Sequence, residues 1–316
     1  MALWTPEYRD TAFWFDGLDG GTVTTVSGAV SEFVDKSGNG RHAAQSDPAK
    51  RPGYDPESGR VQFTGFTQAL IVPGWASGTN HVLFAVVDPK GTGGLEPILT
   101  AGSGLNASDN LLILAARADL ADQVGWYSGT WYRLGANTAG LQILEFVLNG
   151  STGSLYRNGI LVGSAAYAGR AMQSVVAIGD WPGDASGDSR GYIGDMKELV
   201  LLSTATLDER QQMQGYLAHR HGLAASLPAE HPYKIAAPTY GFFHGTITDK
   251  DGNPAERRIT VLDATGHCVA TDTSDPVTGA YSIYMPNDDP YTLAFDGEPD
   301  RNAQVFANVI PGEPPA

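Results

Sequence analysis

Residues 190–223 read RGYIGDMKELVLLSTATLDERQQMQGYLAHRHGL, and they hold a strand, a turn, one capped helix and a stop. Tyr192 to Leu202 is β-rich, with apolar Tyr192, Met196 and Val200 among polar Asp195 and Lys197. Thr206 stands three residues before Glu209, the capping-box spacing, so a hydroxyl and a carboxylate can satisfy two free N–H groups at a helix start. Leu207, Met213, Tyr216 and Leu217 fit one helical face, and Gly222 is placed to end the helix. His219 and His221 fall in its last turn, where the negative end of the dipole favours them without any reaction being invoked.

No other segment carries so clear a helix signal. The 39 glycines and 19 prolines among 316 residues instead imply many turns, as an all-β chain needs. Hydrophobic residues make up 42%, enough for a large core, and the length suits one large or two ordinary domains. A formal charge of −15 argues against nucleic acid as a partner, because phosphate would be repelled. No apolar run approaches the ~20 residues of a membrane span. No basic, apolar leader opens the sequence, so the expectation is synthesis in a host cytoplasm without a signal peptide. The single cysteine, Cys268, rules out an internal disulfide and is expected to be a small buried hydrophobe.

Residues 1–12 read as an N-terminal arm with Trp4 and Tyr8 free to dock. Phe13 to Asp16 opens the first strand, and Asp35-Lys36-Ser37-Gly38-Asn39-Gly40 is a tight turn. His81 to Val87 and Leu111 to Ala116 are apolar enough for buried strands. Gly125 to Tyr132, GWYSGTWY, is an aromatic hairpin, and Asn158-Gly159 is a two-residue hairpin turn. About a dozen such strands favour a two-sheet sandwich. The opening set Trp14, Asp16, Phe33, Asp35, Ser37, Gly38, Asn39, Gly40, His42, Ala43 and Gln45 resembles LamG-like, concanavalin A-like jelly-roll domains. So does the closing set from Gly191 through Glu198 to Leu207, Glu209, Arg210, Gly215, Tyr216, Leu217, Ala218, Gly222 and Leu223. The resemblance covers residues 13–224 and implies a jelly-roll sandwich with one C-terminal helix, of a kind found in bacterial surface and phage tail proteins.

Residues 225–239, proline-containing and aperiodic, read as a linker. Residues 240–316 then form a second β domain with turns at Asp251-Gly252-Asn253-Pro254, Thr265-Gly266 and Thr278-Gly279. About seven strands make an immunoglobulin-like sandwich. The pattern from Gly245 through Asn253-Pro254 to Tyr281-Ser282-Ile283 resembles carboxypeptidase-regulatory-like, transthyretin-like domains. The ending resembles tail proteins of long-tailed phages.

The chemistry is sparse. A retaining glycosidase needs two carboxylates about 5 Å apart. Asp195 and Glu198 are three apart, so on a regular strand they face opposite sides, and Glu145 has no partner two residues away. No G-x-S-x-G or H-E-x-x-H is present, so no enzyme is expected. Asp180, Asp184 and Asp188 offer calcium three carboxylates in one loop, without EF-hand spacing, and no other cofactor suggests itself. For a sugar face, the loop and hairpin aromatics are Trp75, Trp126, Tyr127, Trp131, Tyr132 and Trp181. Alternation puts Trp126 and Ser128 on one side of the hairpin and Tyr127 and Gly129 on the other, and one side can be core or a subunit interface. The resulting expectation is a structural component of a phage tail tip or baseplate, part of the virion. Its partners would be other tail proteins, further copies of itself, with a trimer as the guess, and a host glycan or pilus. The alternative is a lectin-like receptor-binding protein, and a glycan-degrading enzyme is disfavoured by the carboxylate spacing.

Overall fold

The computed structural model describes all residues except 1, 76, 91–94, 103–110, 118–122, 137, 173–174, 181–190, 250, 286–290, 296–303 and 310–316. Two compact units result: Thr5–Ile235, and Met1–Trp4 together with Ala236–Ala316. No helix among the described residues is long and apolar enough to cross a membrane.

In the larger unit, 17 described strands form one antiparallel ladder that folds over itself into two layers. One layer is built on His81–Pro89, flanked by Gln142–Asn149 and by Gly194–Leu202. Gly194–Leu202 pairs in turn with Thr11–Asp16 and Arg60–Phe63. The other layer runs from Leu70–Val72 through Val175–Ile178, Leu95–Gly102, Leu111–Arg117 and Gln123–Tyr127 to Trp131–Ala136. Alternate residues meet between the layers: Phe13, Phe15, Leu83, Ala85, Val87, Leu144, Phe146, Leu199 and Leu201 from the first, and Leu99, Ala101, Ile113, Trp126, Val176 and Ile178 from the second.

The first layer is buried on its other face as well, where Val82, Phe84, Val86, Ile143, Val200 and Leu202 are 3% exposed or less. The helix Leu207–Arg220 covers them. It begins as its spacing predicts: Thr206 Oγ1 accepts from the Glu209 N–H, and the Thr206 N–H donates to Glu209 Oε2. It ends at Gly222, whose φ of +71° is the left-handed conformation that closes a helix, with Leu223 N–H donating to the Ala218 carbonyl. Of the expected stripe, Met213, Tyr216 and Leu217 are buried but Leu207 is 60% exposed, and the polar Arg210, Gln214 and His221 also face inward.

The turn at Asp35 is anchored by one carboxylate. Asp35 Oδ1 accepts from the N–H groups of Trp14 and Ser37, and Oδ2 accepts from Ser37 Oγ and the Arg41 N–H, all at 2.8–3.0 Å. Asp35→Ala leaves the N–H of Trp14, in a buried strand, and the turn N–H groups of Ser37 and Arg41 without their acceptor, and is expected to destabilise the larger unit by about 2–3 kcal/mol. Asp35→Asn, which still offers an oxygen, is expected to lose less. Urea unfolding measures both, and an alanine loss under about 0.5 kcal/mol would mean that the turn does not need its carboxylate.

Residues 225–235 are not a free linker, contrary to expectation. They belong to the larger unit and pack on the helix. The His219 ring bonds the Tyr233 carbonyl at 2.8 Å, and His231 Nε2 lies 2.9 Å from Gln214 Oε1. Tyr233 N–H donates to His231 Nδ1, which fixes a neutral ring, and burial holds that imidazole below its ordinary pKa. The backbone approach requires Gly215, since a Cβ there would sit 2.4 Å from that of Tyr233.

The smaller unit has a three-strand sheet, Ala2–Leu3, Thr239–Thr246 and Ala280–Met285, and a four-strand sheet, Cys268–Thr273, Arg258–Leu262, Tyr291–Phe295 and Gln304–Val309. Phe243, Ile259, Val261, Ile283, Met285, Tyr291 and Leu293 form its core. The chain start is therefore no free arm. Ala2 and Leu3 pair with Tyr240 and Thr239, and the Trp4 N–H donates to the Pro238 carbonyl. Cys268 is exposed rather than buried: it lies at a register irregularity at the start of a strand that, among the described residues, is paired on one side only.

Candidate functional site

Asp16, Glu145, Asp195 and Glu198 of the larger unit are committed to structural ion pairs. The Gly194–Leu202 strand carries a bulge between Met196 and Glu198. Met196 and Leu199 both enter the core, so the bulge turns Asp195 and Glu198 to the same outward face, correcting the opposite-face expectation. They still do not act as a pair. Asp195 Oδ2 accepts from Arg60 Nη1 at 3.1 Å and Lys90 Nζ at 2.7 Å. Glu198 accepts from Trp14 Nε1 at 2.8 Å and lies 2.7 Å from His221 Nε2, with Arg220 Nε at 3.5 Å. Arg220 and Lys36 also converge on Asp16 Oδ2, at 2.6 and 3.0 Å. Glu145, 1% exposed, takes Arg210 Nε on one oxygen and Gln214 Nε2 on the other. Burial pushes its carboxyl above the ordinary range, against the pull of Arg210.

The aromatic hairpin divides by face. Trp126 is fully buried in the core and donates from Nε1 to the Ala166 carbonyl at 3.2 Å, so it is not available to a ligand. Its seat depends on Gly153, where a Cβ would come within 2.3 Å of the indole. Tyr132 is cross-strand to Trp126, 5.8 Å ring to ring, and packs on the same core. Tyr127 and Trp131, the next pair along, therefore share the opposite, outward face. Both are half-buried, with ring centroids 4.7 Å apart and planes inclined by 49°.

Cross-strand register carries their row over the sheet through Leu112, Thr100 and Ala177 to Ile71. Thr100 and Ala177 are 0–1% exposed, so the row is covered in its middle, where Thr100 Oγ1 donates to the Asp180 carbonyl, while the aromatic end is half-exposed. At the hairpin tip Gly129 has φ +95°, Thr130 is exposed, and Arg170 Nη2 donates to the Ser128 carbonyl at 3.4 Å. The arrangement presents two ring surfaces on a hairpin whose tip carries Thr130 and meets Arg170. No sequence signal pointed to Arg170, which is contributed by a loop 42 residues from Ser128.

The remaining predicted residues do not join this site. Trp4 belongs to the smaller unit and is fully buried. Tyr8 lies in the short turn Pro6–Tyr8, and its side chain is outside the described residues, as are Trp181, Asp184 and Asp188. Asp180 is 3% exposed, and its carbonyl accepts from Thr100 Oγ1. Among the described residues no group of three or more His, Cys, Asp or Glu could hold a metal ion.

No protein-family model and no curated protein sequence matches the chain. Solved structures with a similar course include a Trypanosoma rangeli sialidase in complex with sialic acid, at 14% identity, 70% of this chain, 34% of that chain and a TM-score of 0.47. Domain 4 of AbnA, a GH43 extracellular arabinanase from Geobacillus stearothermophilus, in complex with arabinotriose, matches at 14% identity, 61% of this chain, 91% of that domain and a TM-score of 0.41. The Ruminococcus gnavus IT-sialidase CBM40 bound to α2,3 sialyllactose matches at 10% identity, 48% of this chain, 92% of that module and a TM-score of 0.36. The chain spans about a third of the length of the sialidase chains it matches. At these scores the likeness is one of general β-sandwich outline.

Proposed function

We propose that the chain is a lectin-like protein that recognises a glycan on the outward sheet face carrying Tyr127 and Trp131. The observation that supports this reading is the half-exposed aromatic pair itself, on a hairpin whose tip carries Thr130 and meets Arg170. A pyranose ring offers an apolar face for stacking and hydroxyls for the neighbouring polar groups. A glycan-degrading role has less support, because Glu145, Asp195 and Glu198 each already meet an arginine or lysine of the chain.

The intact chain, screened against host-surface glycans, is expected to bind a subset saturably. Tyr127→Ala and Trp131→Ala should each weaken binding at least about tenfold, the scale of one lost stacking contact, with the unfolding midpoint retained. Unchanged binding in both variants would remove the site from this face. The LamG-like and carboxypeptidase-regulatory-like assignments, and a place in a phage tail as a homo-oligomer, are proposed as the setting of that recognition. Their support is the sequence resemblance, together with the anchoring role of Asp35 within the quoted opening residues.

A further inference from the structure

The outward face of the aromatic hairpin also carries a cation. Residues alternate along Trp131–Ala136, and Tyr132 turns to the core, so Arg133 stands on the same face as Trp131 and Tyr127. The register agrees: Arg133 lies opposite Gly125, one step from the inward pair Trp126–Tyr132. Gly125 offers no side chain across from it, and none would fit, because a Cβ there would come within 2.0 Å of the Tyr132 carbonyl oxygen. The guanidinium is therefore carried about 7 Å along the strand from Trp131, with only main chain opposite.

Arg133 is exposed and has no hydrogen bond or ion pair among the described residues. Every other described arginine side chain of the larger unit is bonded to a carboxylate, amide or carbonyl oxygen of the chain. In a chain of net charge −15 an uncommitted arginine is the exception, and it falls on the face of the aromatic pair. A guanidinium with its fork free matches a carboxylate through two parallel hydrogen bonds. We propose, resting on the glycan reading, that the ligand is an acidic glycan, in which a pyranose stacks on the Tyr127–Trp131 rings and a carboxylate on the sugar, as in a hexuronic acid, pairs with Arg133. The net negative remainder of the chain repels such a ligand, so the arginine also fixes where it binds.

The test titrates the intact chain by calorimetry with a hexuronate oligosaccharide, with the same oligosaccharide after its carboxyls are reduced to alcohols, and with a sulfated neutral oligosaccharide. The hexuronate is expected to bind saturably and at least about tenfold more tightly than the other two, the scale of a charge-assisted pair. Arg133→Gln should remove that advantage and leave binding of the reduced form unchanged, with the unfolding midpoint retained. Arg133→Lys should restore only part of it, since an ammonium cannot pair through two parallel bonds. No binding of the hexuronate, equal binding of its reduced form, or full hexuronate binding by Arg133→Gln would overturn the inference. Equal binding of the sulfated form would overturn it too, since charge alone would then be read. Loss of the reduced form in Trp131→Ala would leave the aromatic face a glycan site even so, and hexuronate binding that persists in both Tyr127→Ala and Trp131→Ala would sink that broader reading instead.

Discussion

Arg210→Met is expected to destabilise the larger unit by about 3–5 kcal/mol at neutral pH, the cost of leaving a buried charge without its partner. Arg210 lies over the Tyr156 ring, 4.3 Å from its centroid, and its Nε meets Glu145 in a site from which water is nearly excluded. Without the guanidinium, Glu145 keeps only Gln214. The deficit should depend on pH with a definite sign. Burial already raises the Glu145 carboxyl, and losing Arg210 raises it further. Folded protein then binds a proton that the unfolded chain, titrating at its ordinary value, has released. Stability therefore falls as pH rises through that window and recovers as pH drops below it. Urea unfolding of the variant across the acidic-to-neutral range should show a deficit that shrinks toward acid. The double variant Arg210→Met with Glu145→Leu removes both charges and should regain most of the loss. A single variant as stable as the parent, or a deficit independent of pH, would show that the pair is not the buried contact described.

Trp126→Ala should cost a comparable amount, about 3–5 kcal/mol, because it empties an indole-sized volume between the two layers and strands the Ala166 carbonyl. Gly153, shaped to the indole, offers nothing to refill the space. Trp131→Ala, one cross-strand position away and half-exposed, should cost no more than about 1 kcal/mol. Thermal or urea unfolding of the two variants side by side checks this division. Equal losses would contradict the assignment of the two indoles to opposite faces. The contrast also decides which residue can report on ligand binding, since a glycan assay on Trp126→Ala would confound recognition with unfolding.

The helix shows why local patterning reads some features and misses others. Thr206, Glu209 and Gly222 satisfy backbone groups within a few residues of themselves, so their spacing alone locates both helix ends. Periodicity also found the buried Met213, Tyr216 and Leu217, but the polar members of the stripe escaped it. Arg210 and Gln214 are polar residues on an inward face, acceptable only because Glu145, 65 residues from Arg210, meets them. Periodicity of apolar residues cannot find a stripe whose polarity is compensated from a distant strand.

Alternation and turn chemistry alone made the larger unit a sandwich of short strands, placed the turns at Asp35 and at Asn158-Gly159, and divided the aromatic hairpin into two faces. These properties depend on neighbours within a few residues. Which hairpin face is core, the turning of Asp195 and Glu198 to one side by a bulge, the docking of residues 225–235 and the capture of Ala2–Leu3 by Thr239–Thr246 were decided only in the folded chain. Each is a contact between segments far apart in sequence, and its energy exists only once the layers have closed.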